Sequence, residues 1–124
     1  MSAPGPASEP GVRLVNRTTG ALVAARVERA RSFGARLKGL LGRDGLPAGD
    51  ALAIEPCNSI HTFFMRFPID VLFLANDGRV VRAVERLPPW RATRIYPQAT
   101  QVVELAAGSL AKTGTVAGHV LEFE

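Results

Sequence analysis

The sequence predicts a mainly β chain: a compact β-sandwich or jelly-roll-like barrel of about seven or eight short strands with one α-helix. Three observations predict it. Short apolar runs recur at close spacing, separated by Gly, Pro, Asn and Asp. Only one stretch has helical periodicity. One run, Ile69–Ala75, is apolar on both faces apart from Asp70, the pattern of a strand covered on both sides.

Taken in order, Val12–Asn16 reads as a strand and Asn16-Arg17-Thr18-Thr19-Gly20 as a turn. Ala21–Val27 then completes an N-terminal hairpin. The helix follows. Ser32 can cap it, and Phe33, Leu37, Leu40 and Leu41 fall on one face, with Arg36 and Lys38 in the later turns. Gly42 is placed to cap its end, and Gly39 lies inside it, where Gly costs about 1 kcal/mol against Ala. Residues 44–50 are a turn-rich loop and Ala51–Glu55 a strand stopped by Pro56. His61–Arg66 and Ile69–Ala75 read as strands split by Phe67-Pro68. Asn76-Asp77-Gly78 is a hairpin turn, returning as Arg79–Glu85. An irregular loop over 86–100, a strand at Gln101–Leu105, a turn or helical piece at 106–118 and a closing strand at His119–Glu124 finish the chain. The helix is expected to plug one open end or cover one face.

A length of 124 residues fits one domain with one core. Residues 1–11, rich in Pro, Ala, Ser and Gly, are expected to be a disordered tail, and residues 12–124 a single domain. No apolar run reaches the ~20 residues of a membrane helix, and no basic, then apolar leader is present, so the expected location is cytoplasmic. The single cysteine, Cys57, can form neither an internal disulfide nor a zinc site of several thiolates. Charge is uneven: residues 1–43 hold eight basic and two acidic side chains, +6, and residues 44–124 seven and nine, −2. There is no Lys/Arg run of the kind that grips nucleic acid, so nucleic-acid binding is not expected. No phosphate loop, dinucleotide fingerprint or nucleophile elbow is present, and no cofactor or metal is expected.

The stretch Cys57–Asp70 concentrates polar groups among apolar ones. Asp70 is the sharpest anomaly, because an ionised carboxylate in a covered strand needs Arg, a hydroxyl or backbone N–H groups as partners. Arg66 and Arg43 are the arginine candidates. Cys57 and His61 would stand roughly 13 Å apart on an extended strand, so only a turn through Asn58-Ser59 brings them together. The second candidate is the loop over 86–100, where Trp90 sits beside Arg91, with Arg94 and Tyr96 nearby.

Four segments also carry a family likeness: Gly39-Leu40-Leu41-Gly42-Arg43, Ser59 through Leu74, Asp77-Gly78-Arg79-Val80-Val81, and Val103-Glu104-Leu105-Ala106-Ala107-Gly108. Together they resemble the prokaryotic family catalogued as domain of unknown function one hundred and ninety-two, from about residue 12 to the C-terminus. The resemblance implies a β-sandwich of jelly-roll type with one helix, and it implies no activity.

The expected function is therefore a binding or accessory module. Its pocket is expected at one end of the barrel, between segment 56–70 and loop 86–97, for an anionic or polar small molecule or an acidic peptide. Arg43, Arg66 and Arg91 would pair with the ligand, Trp90 would cover it, and Asn58, His61 and Met65 would complete the site. Asp70 would hold Arg66 or Arg43 in place. The enzyme alternative is a hydrolase or metal-dependent enzyme using Cys57, His61 and Asp70, which must then converge. The third reading is an interaction domain using a sheet edge or the basic helix.

Overall fold

A computed structural model describes residues 12–124, and the expected tail at 1–11 lies outside the described residues. The elements are β1 (Leu14–Asn16), β2 (Leu22–Ala24), β3 (Arg26–Ala30), α1 (Phe33–Lys38), β4 (Asp50–Ile54), β5 (Ile69–Leu74), β6 (Val80–Leu87), β7 (Gln101–Ala106), α2 (Ser109–Thr113) and β8 (Leu121–Phe123). They form a three-stranded sheet, β2-β1-β8, and a five-stranded sheet, β3-β4-β7-β5-β6. All pairs are antiparallel except β3 with β4. The fold is mainly β, as predicted, but neither sheet closes into a barrel.

Asn16 starts the first hairpin. Its side-chain oxygen accepts from the N–H groups of Thr18 (3.0 Å) and Thr19 (3.1 Å), bending the chain into β2. The predicted strand Ala21–Val27 is in fact two, because the chain leaves the small sheet after Ala24 and joins the large one at Arg26. Period-2 alternation cannot register such a change of sheet.

The centre of the large sheet, β7 and β5, is buried on both sides. One apolar cluster joins the sheets, with Leu14, Val23 and Leu121 from the small sheet meeting Leu72, Leu74, Val103 and Leu105. A second cluster, on the opposite face, packs Val71, Phe73 and Val102 beneath Leu40, Met65, Ile60 and Tyr96. Every residue of β5 is buried for this reason. The layer over the second cluster is built from α1 and irregular segments.

Two expectations fail in that covering layer. Ser32 does cap α1, its hydroxyl accepting from Ala35 N–H at 3.1 Å, but the helix stops after six residues at Gly39, not at Gly42. Gly39, at φ 48°, is the cap itself and not an interior residue. The turn there sends Leu40 into the core and leaves Phe33 and Leu37 73% and 67% exposed. The second failure is His61–Arg66, which forms turns. Only His61 pairs, with Ala92, and Phe64 at φ 67° reverses the chain.

Gly78 locks the two sheets together. At its φ of 89° a Cβ would stand 2.1 Å from the Leu121 carbonyl oxygen. Around it Val80 N–H donates to His119 O (2.8 Å) and Leu121 N–H to Gly78 O (2.9 Å). The β5–β6 turn is thus stitched to the start of β8.

Candidate functional site

Asp70 is fully buried, and its partners are backbone N–H groups in place of the expected arginines. One oxygen accepts from Arg86 N–H (2.8 Å), the other from Gly108 (3.1 Å) and Leu110 (2.8 Å). Gly108 precedes α2 and has no side chain to cap it, so the carboxylate of β5 supplies the cap. Arg66 instead pairs with Asp44 (2.6 Å), and Arg43 with Glu28 (2.9 Å). The cause is strand alternation, which puts Asp70 with Leu72 and Leu74 on the inter-sheet face.

On the opposite face lies a second buried carboxyl, absent from the predicted site. Glu104, in the middle of β7, is flanked by Leu52 of β4 and Val71 of β5, and is 3% exposed. Its Oε1 is buried without a hydrogen-bond partner. Burial pushes the pKa of the carboxyl up to about 7, with Arg43 pulling the other way. Above it opens a hollow of about 150 Å³ between α1 and its cap on one side and Pro56–His61 on the other.

Three further groups line that hollow. Arg36 donates through Nη1 to the Pro56 carbonyl (3.2 Å), while its Nε is buried without a partner. Cys57 donates its thiol hydrogen to the Ser59 carbonyl (3.1 Å), and burial pushes its pKa up, away from thiolate chemistry. His61 stands at the rim, stacked on Phe63 at 4.9 Å.

Of the predicted site residues, the structure brings His61 and Met65 to this hollow. Arg43, Asn58, Arg66, Asp70, Trp90 and Arg91 do not line it. Segments 56–70 and 86–97, between which the pocket was expected, are zipped together by hydrogen bonds. Thr62 N–H donates to Arg91 O (2.7 Å), Thr62 Oγ1 to Pro88 O (2.7 Å), Trp90 N–H to Thr62 O (2.9 Å) and Tyr96 N–H to Asn58 O (2.9 Å). Asp70, on the other face of the sheet, cannot join Cys57 and His61, so that catalytic set does not assemble. Among the described residues no three His, Cys, Asp or Glu side chains converge as metal ligands. Glu104 was missed because Gln101–Leu105 read only as a strand. Its signal was the one that singled out Asp70, a carboxylate inside an apolar run.

Comparison with known proteins agrees with this architecture. A family profile, DUF192, described as uncharacterized ACR, matches residues 14–123. The chain is 30% identical over 119 residues to a UPF0127 protein of Thermococcus sibiricus, covering 90% of this chain and 74% of that protein. A solved Sinorhizobium meliloti 1021 structure, described as a candidate transcription regulator, is similar at a TM-score of 0.76 and 25% identity, over 90% of this chain and 91% of that one. A Novosphingobium aromaticivorans DSM 12444 protein of unknown function matches at 0.77 and 21% identity, over 97% and 94%.

Proposed function

This chain belongs to the DUF192 family, whose description names no activity, and on its own geometry we propose that it is a binding module for a small polar molecule seated above Glu104. The observation that carries the reading is the buried Oε1 of Glu104, partnerless at the floor of a hollow. An unpaired buried acceptor costs roughly 1–3 kcal/mol, and a ligand that donates a hydrogen bond removes that cost. Arg36 Nε is the complementary orphan, a donor that needs an acceptor. Arg36 and Lys38 on the wall favour an anionic group on the ligand. The ligand chemistry is therefore a small molecule with a hydroxyl or amine beside a carboxylate or comparable acceptor, with His61 and Met65 against it.

A thermal-shift screen of amino acids and hydroxy acids, with simple amines and monocarboxylates as controls, tests this. A compound of the paired chemistry is expected to raise Tm, and Glu104→Leu to abolish the rise. If none raises Tm, or if Glu104→Leu responds like the parent protein, the reading fails.

A further inference from the structure

Apart from the hollow, the covering layer has an outer surface of unusual composition. Phe33, Leu37, Phe63, Phe64, Trp90 and Ile95 are six of the nine exposed large apolar side chains among the described residues, and all six lie in this layer. The stretches that build it, 33–43, 56–69 and 88–100, hold six basic residues and no acidic one. Arg43 and Arg66 are paired with Glu28 and Asp44. Arg36, Lys38, Arg91 and Arg94 have no carboxylate partner among the described residues.

The aromatic part of this surface is held rigidly. Thr62, fully buried, bonds segment 61–65 to 88–91, as described above, and sets both turns. At those turns Phe64 and Trp90 take φ of 67° and 66°, a left-handed backbone that bulky residues rarely adopt. Strain of this kind persists only where the surroundings enforce it. Here it holds Phe64 and Trp90 70% and 56% exposed, their rings 4.6 Å apart.

We propose that this face docks the protein on an anionic lipid surface, with Phe64, Trp90 and Leu37 entering the headgroup boundary and Arg91, Arg94 and Lys38 meeting lipid phosphates. Exposed apolar side chains on the same segments as cations that lack a carboxylate partner suit a soft interface that closes around them. Tryptophan sits well at that depth, with an apolar body and a polar N–H. Nucleic acid fits less well. Base stacking needs free ring faces, and here Phe63 is covered by His61 while Phe64 and Trp90 meet at 59°.

Trp90 is the only tryptophan, so its emission reports on this face alone. The full chain is mixed with phosphatidylcholine vesicles, with and without phosphatidylglycerol, and followed by fluorescence and co-sedimentation. Expected are a blue shift and pelleting with the anionic vesicles, reversed by salt, and neither with phosphatidylcholine alone. Arg91→Glu with Arg94→Glu is expected to weaken partitioning about tenfold or more, and Leu37→Ser with Phe64→Ser to remove the shift. These side chains are all exposed, and circular dichroism verifies that each variant is folded. No shift with anionic vesicles overturns the proposal. So does retention of partitioning in both double variants, tighter capture of single-stranded DNA than of vesicles, or self-association that hides Trp90 and excludes vesicles.

Discussion

Asp70 and Glu104 occupy neighbouring strands of one sheet, and both are removed from water. They differ in the face they take. Asp70 points between the sheets and accepts three backbone hydrogen bonds, so it holds the start of α2 and the end of β6 in place. Glu104 points the other way, into a layer of loops, and its Oε1 has no partner. Burial alone does not mark a functional acid. The discriminating property is whether the protein itself satisfies the group, and on that test one carboxylate of this sheet is architecture and the other keeps an unsatisfied oxygen.

Opposite responses to substitution would sharpen that contrast. Asp70→Ala strands three buried N–H groups and is expected to cost roughly 3–6 kcal/mol, read as a lowered urea midpoint. A cost below about 1 kcal/mol would erase the distinction. Next in size is a pH effect from Glu104. Its folded pKa is about 7, above the ordinary 4.5, so between those values the folded state holds the proton that the unfolded state has released. Stability is therefore fully present below about pH 4.5, falls as pH rises towards 7, and is level above that, a loss of about 3 kcal/mol at most. Glu104→Gln is expected to flatten that slope, and an unchanged slope in the variant would place its origin elsewhere. Smaller again, Glu104→Leu is expected to be neutral or to stabilise by about 1–3 kcal/mol at pH 8, because it removes an unsatisfied charge and not a bond. The smallest effect belongs to the outer surface, where Phe33→Ser should change stability by less than about 0.5 kcal/mol in either direction.

The inter-sheet side was the more legible from sequence. Ile69–Leu74 announced its two-sided burial because both alternating sets of residues are apolar, and Asn76-Asp77-Gly78 announced its turn by type. The carboxylate of Asp70 was visible as an anomaly. Its partners were not, since backbone N–H groups brought up by β6 and α2 leave no mark in side-chain identity. The covering layer misled in the opposite sense. Phe33, Leu37, Leu40 and Leu41 have helical spacing, but Gly39 takes a left-handed turn and only Leu40 is fully buried. His61–Arg66 looked like a strand because nothing local reveals that Thr62 gives its bonds to a loop about thirty residues on. Spacing reports regular elements, and this layer is mostly irregular.

The empty place where Gly78 lacks a methyl group has a consequence for how the molecule comes apart. A carbonyl of β8 fills that notch, so the hairpin of one sheet and the last strand of the other mesh like a tooth in a rack. Peeling either sheet away would have to break that mesh. The chain should melt in a single sigmoid whichever sheet is watched, and even alanine at position 78 would strip that shared fate from the two halves.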